Sequence, residues 1–246
     1  MKPSSSRVVI VAAIAAVMTG FVAVASTSVN ADTRTGEREF EQSFIQRVVA
    51  QTTRSGLAIR ATRDLRAGTV SGKHQGWMRV ETTLTPAGRF TWTVLEEGGS
   101  DRTREKVFHA MLETEAESWR DGDRDAAALT PTNYTFKPLS SGNGEVKIRL
   151  IPRREDKRLI DGVLTVSSDG YPLRLEGTLA KSPSFWVKSV RVVKRYGRFA
   201  GVALPTALES TAELRFIGKS TFTMRYEYRE VNGRRFATPA VANLNQ

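Results

Sequence analysis

The stretch T-F-T-M-R-Y-E-Y-R, Thr221 to Arg229, sets Phe222, Met224, Tyr226 and Tyr228 on one side of a strand and Thr221, Thr223, Arg225, Glu227 and Arg229 on the other. Strict alternation of this kind is the signature of a strand with one wet face and one apolar face, as antiparallel sheets have. The same reading extends backwards. Apolar sets recur as Val146, Ile148, Leu150; Ile160, Leu164, Val166; Leu173, Leu175, Leu179; Val187 to Val193; and Leu208, Ala212, Leu214, Phe216. Turn residues separate them at Arg154 to Asp156, Ser168-Asp169-Gly170, Ser182-Pro183-Ser184, Gly197 to Gly201 and Gly218-Lys219. Short strands divided by such breaks predict an antiparallel meander from Tyr134 to Glu230.

Upstream, Phe40, Phe44, Ile45, Val48 and Val49 fall at helical spacing and predict an amphipathic helix over Thr33 to Thr53. Three strands are expected next: Leu57-Ile59-Ala61, Met78-Val80-Thr82-Leu84 and Phe90-Trp92-Val94. A basic, Gly-rich loop is expected from Arg66 to Gly76, and a turn at Pro86-Ala87-Gly88. Ser100 or Asp101 is placed to cap a second helix running to about Trp119, with Val107, Phe108, Met111 and Leu112 on one side and a further helical turn at Asp125 to Leu129. A helix apolar on one face needs a sheet to cover. The fold class is therefore α+β and mainly antiparallel β.

The chain begins with Lys2 and Arg7, then Val8 to Ala25 is almost wholly apolar, and small residues follow at Ala23-Val24-Ala25 and Val29-Asn30-Ala31. These are the three parts of a secretory signal peptide, expected over 1–31 with cleavage after Ala25 or Ala31. The alternative is an uncleaved inner-membrane anchor, since the apolar stretch spans roughly 27 Å as a helix. One domain is expected over 32–232, with a tail over 233–246. The expected location is the periplasm.

Composition narrows the chemistry. Among 246 residues there is no Cys and there are two His, so disulfides, thiol nucleophiles, cysteine-ligated metals and iron–sulfur clusters are excluded. The formal charge is +11, and loss of Lys2 and Arg7 with the signal leaves +9. A basic exported protein meets anionic lipid headgroups before nucleic acid. The run Trp186 to Phe199, W-V-K-S-V-R-V-V-K-R-Y-G-R-F, is read in that light as a candidate contact with an anionic membrane surface, or else as a central strand with Lys and Arg at its rim.

His109 and Glu113, four apart on the second helix, lack the further ligands a metal needs. There is no G-x-S-x-G elbow, S-x-x-K pair or phosphate loop, and the acidic pairs sit in charge-mixed stretches typical of a solvated surface. Asn133-Tyr134-Thr135 matches the glycosylation sequon. No enzyme, cofactor or metal is expected, and hydrolysis of cell-wall or lipid substrates ranks last.

The layout of signal, helix, three strands, helical insertion and meander resembles the periplasmic lipoprotein-carrier superfamily, the LolA/LolB-like sorting proteins. The resemblance rests on L-I-D-G-V-L-T-V-S-S-D-G-Y-P-L-R-L-E-G, Leu159 to Gly177, and Y-G-R-F-A-G-V-A-L-P, Tyr196 to Pro205. It implies a curved open sheet or half-barrel whose concave face is covered by helices, around a cavity for lipid or lipoprotein acyl chains. It also implies a part in outer-membrane lipoprotein sorting. Phe90, Trp92, Leu175, Leu214, Phe222, Met224 and Tyr226 are the residues expected to line that cavity. The alternative is a non-catalytic envelope interaction or regulatory module of the same fold. A monomer is expected, with no nucleic acid bound.

Overall fold

A computed structural model describes residues 35–52, 56–121, 123–216 and 218–237. The expected signal peptide and most of the expected tail, with the side chain of Phe40, lie outside the described residues. Helix α1 spans Thr35–Thr52. The strands are β1 (Ile59–Thr69), β2 (Gly76–Leu84), β3 (Phe90–Gly99), β4 (Tyr134–Gly142), β5 (Glu145–Pro152), β6 (Ile160–Ser167), β7 (Pro172–Leu179), β8 (Val187–Phe199), β9 (Val202–Leu214), β10 (Gly218–Val231) and β11 (Arg234–Arg235). Between β3 and β4 lies α2, which starts as Asp101–Thr103, widens into a π-helical turn at Arg104–His109 and continues as Ala110–Asp121. A 3-10 turn at Asp123–Ala127 follows.

All strand pairs are antiparallel, in the order β3-β2-β1-β10-β9-β8-β7-β6-β5-β4, with β11 turned back on β10. The sheet is open and curved, with β3 and β4 at its edges. The last long strand pairs with the first, so β10 and β1 form a seam along Ile59↔Val231 through Thr69↔Ser220. The chain must then pass from one edge of the sheet to the other between β3 and β4, and α2 makes that passage. Its Phe108 ring reaches Phe222 of β10 at 6.3 Å, near the middle of the sheet. Helix α1 packs against β7 and β9.

The alternation read in Thr221–Arg229 places Phe222, Met224 and Tyr228 in the core, with Tyr226 half-buried beside them. Val107, Phe108, Met111 and Leu112 of α2 are buried against the sheet, as are Phe44 and Val48 of α1. One expectation fails at its edge. The loop expected from Arg66 to Gly76 shrinks to 70–75, because β1 runs on to Thr69 and buries Leu65 and Ala67. The inward row Ala61, Arg63, Leu65, Ala67 contains an arginine, which hid its periodicity. The edge strand β4 accommodates Pro138, whose missing N–H is tolerated at an edge.

Two facing glycines tighten the far side of the sheet. Gly162 of β6 pairs with Gly177 of β7, and a Cβ on Gly162 would lie 2.1 Å from the Glu176 carbonyl oxygen. The backbones approach there more closely than any side chain allows.

Candidate functional site

Helix α2 and the strands beneath it enclose a partly open cavity of about 80 Å³ at the end of the sheet where β1 begins and β10 ends. Leu57, Ile59, Leu84, Phe90, Trp119 and Leu204 give its apolar wall, and Tyr226 and Tyr228 contribute rings. Burial pushes both phenols well above their ordinary value, so they stay neutral. The Tyr228 hydroxyl donates to the Pro205 carbonyl at 2.7 Å.

Three ionisable side chains share this apolar surrounding: Arg63, Glu115 and Lys194. Arg63 Nη1 and Nη2 donate to the two Glu115 oxygens at 2.6 and 3.1 Å, and Arg63 Nε donates to Thr82 Oγ1 at 3.1 Å. Its guanidinium lies 5.1 Å from both the Phe90 and Tyr226 ring centres. Burial alone would lower the Arg63 pKa, but the charge of Glu115 and its hydrogen bonds more than reverse this, and the guanidinium stays charged. The pair ties α2 to β1 by a bidentate bond, the strongest geometry available to these groups. Lys194 of β8 shares the inward row with Val190 and Val192, and its ammonium lies 5.5 Å from the Tyr196 ring centre. Burial depresses it to about 8, against the opposing pull of Glu115 and with a push from Arg63. Ser118 Oγ also lines the cavity and is buried without a hydrogen-bond partner among the described residues.

Of the residues expected at the cavity, Phe90 and Tyr226 line it. Leu175, Leu214, Phe222 and Met224 are buried in the main core, away from the opening. Trp92 is half-buried on β3, edge-on to His109 at 5.2 Å. Sequence reading missed Arg63, Glu115 and Lys194, although each occupies an inward position of an otherwise apolar row. In the run Trp186 to Phe199, Trp186 lies in the β7–β8 loop and the rest forms the central strand β8, with Lys194 turned inward and Lys188 and Arg191 facing solvent.

His109 contacts Glu97 at 3.5 Å, and no group of three metal-binding side chains occurs among the described residues. The Asn133 sequon is structural: Asn133 is buried, donates to the Asp125 and Ala128 carbonyls at 2.7 and 2.8 Å, and accepts from Arg154 at 2.7 Å. No helix among the described residues is long and apolar enough to cross a membrane.

The fold so defined is an open antiparallel half-barrel crossed by a covering helix. No protein-family profile matches the sequence, and no curated protein matches it significantly. Among solved structures it is similar to LolA superfamily protein NE2245 from Nitrosomonas europaea, at 12% identity and TM-score 0.42 over 80% of this chain and 94% of that one. It is also similar to a DUF1329 family protein from Desulfovibrio piger ATCC 29098, at 10% identity and TM-score 0.37 over 76% and 90% of the two chains. A lipovitellin structure concerned with lipid–protein interactions aligns at 10% identity and TM-score 0.31, over 76% of this chain and 26% of that one.

Proposed function

We propose that this protein is a periplasmic carrier that binds the acyl chain of a lipid or lipoprotein beneath α2, with outer-membrane lipoprotein sorting as one setting for that activity. The observation that carries the reading is the amphipathic cavity, in which an apolar wall meets the polar side chains of Arg63, Thr82, Glu115, Ser118 and Lys194 under a helix that crosses the sheet. An amphiphile matches both halves of such a lining. Binding suits the site better than catalysis: Glu115, the carboxylate of the cavity, is held by Arg63 in a bidentate pair, which disfavours it as a base.

Size sets a condition on this reading. Pockets for drug-sized ligands run to roughly 300–1,000 Å³, and about 80 Å³ accepts a headgroup or a few methylenes. A long chain enters only if α2 lifts from β1, and each methylene then buried contributes about 0.8 kcal/mol towards that movement. The same small volume favours the second reading, a non-catalytic envelope module whose sheet is an interaction surface.

Displacement of a fluorescent fatty-acid probe tests the proposal. Saturable binding, competed by dodecanoate and by longer chains, is the expected result. Failure of the probe to bind, together with native mass spectra free of lipid after gentle purification, overturns the carrier and leaves the module.

A further inference from the structure

Away from the cavity, at the opposite end of the sheet, three loop tips are joined by backbone hydrogen bonds. Val70 N–H of the β1–β2 tip donates to the Lys219 carbonyl at 2.9 Å, and Arg215 N–H of the β9–β10 tip donates to the Trp186 carbonyl of the β7–β8 loop at 3.0 Å. The apolar side chains on these tips point outward. Phe216 is 74% exposed, Phe185 69% and Val70 66%. Phe185, Trp186 and Phe216 form a continuous aromatic cluster, with centroids 5.6 Å apart at each step, and the Arg215 guanidinium lies over the Phe185 ring at 4.9 Å.

Single exposed apolar residues need no explanation, but a cluster drawn from separate loops marks an interaction surface. The charges around it state the partner's sign. The segments 70–75, 181–189 and 213–219 contain five bases, Lys73, Lys181, Lys188, Arg215 and Lys219, and one acid, Glu213, which pairs with Lys188 at 3.5 Å. Aromatic rings ringed by cations on loop tips suit the interface of an anionic bilayer, where rings sit at headgroup level and lysines meet lipid phosphates. A protein partner with an acidic, apolar surface is the competing occupant.

We propose that the Phe185–Trp186–Phe216 end of the half-barrel docks on an anionic membrane surface, with the rings entering the headgroup layer and Lys73, Lys181, Lys188, Arg215 and Lys219 contacting phosphates. This docking is independent of the cavity and of what it holds. It places the basic contact with lipid at this end of the sheet, at the loop tips and the strand ends beside them, and not along the length of β8.

Flotation of the purified full chain with vesicles tests it. The chain floats with vesicles of phosphatidylglycerol and phosphatidylcholine, and binding falls at least tenfold on raising salt from 50 to 500 mM or on removing the anionic lipid. The double variant Phe185→Ser/Phe216→Ser loses at least tenfold in binding while its thermal unfolding is unchanged, and Lys181→Glu/Lys219→Glu loses the preference for anionic vesicles. Leu139→Ser, an exposed leucine towards the other end of the sheet, binds as wild type. Brominated lipid quenches wild-type tryptophan emission more than that of Trp186→Phe. Lack of flotation with anionic vesicles, equal binding to pure phosphatidylcholine, or equal loss in Leu139→Ser and the double variant each overturns the proposal. The first of these results would leave the acidic protein surface as the occupant to pursue.

Discussion

The Arg63–Glu115 pair is where single residues matter most. Both side chains are under a tenth exposed, so each would be costly to bury alone. Glu115→Gln is expected to destabilise by roughly 3 kcal/mol, because it leaves the Arg63 charge buried, whereas the double variant Arg63→Met/Glu115→Leu loses much less. Urea unfolding in a double-mutant cycle reads the coupling directly. Lys194 gives a pH signature with a definite sign. Its folded-state value of about 8 lies below the ordinary 10.5, so the unfolded chain binds more protons between those values and stability rises with pH across that window. Below pH 8 the amine is charged in both states, and its burial opposes folding by roughly 3 kcal/mol. Lys194→Met should therefore be the more stable at pH 7 and flat between pH 8 and 9.5, measured by urea midpoints at each pH. Above pH 10 the phenols reverse the trend: burial raises Tyr134 to about 12, so its contribution is lost as pH climbs from 10 towards 12. These three charged residues were hidden in the sequence for a physical reason. Periodicity reports the majority of a row, and a charge that interrupts Val190-x-Val192-x-Lys194 looks like a rim until the partner that makes its burial tolerable, here on α2 and 79 positions away for Lys194 and Glu115, is brought beside it.

Elements were more legible than residues. The alternation in β6, β8, β9 and β10 and the helical spacing of Val107 to Leu112 place those segments correctly, because each needs only local side-chain periodicity. The far end of β1 escaped notice because an arginine breaks its inward row, and β4 lacks a named apolar set because its second half, Pro138 to Gly142, is exposed at an edge. The paired glycines of β6 and β7 show what an element needs beyond pattern. A methyl group on Gly177 would lie 2.3 Å from the Asp161 carbonyl oxygen and 2.6 Å from the Gly162 Cα, both backbone atoms that cannot swing aside. Gly177→Ala should thus force β6 and β7 apart and destabilise by about 2 kcal/mol, within the usual range for overpacking. Ala substitution at Gly142, whose Cβ meets nothing within 4 Å, is the matched control and should change the thermal midpoint little.

At the scale of the molecule, the topology makes the β1–β10 seam the place where the chain becomes one cooperative unit. Strands β1 to β3 come early and β4 to β10 late, and they are joined by this pairing and by α2 passing over the sheet. The inward row of β10 is what fixes the seam's register, since a slip by one residue would turn Phe222 and Met224 to water. Thr223 lies at the centre of this arrangement, opposite Arg66 of β1 and Glu209 of β9. A proline there removes a backbone donor and forces the ring against a neighbouring strand, at a cost of about 3 kcal/mol or more, in an element with no free edge to absorb it. Thr223→Pro is expected to abolish cooperative folding, so that far-UV circular dichroism and tryptophan emission no longer change together. Ser141→Pro, on the exposed half of the edge strand at a position whose N–H points away from β5, tests the same chemistry where the sheet has a free side. It should keep a single transition with both probes coincident, and a loss of folding equal to that of Thr223→Pro would show that the seam does not hold the two halves together.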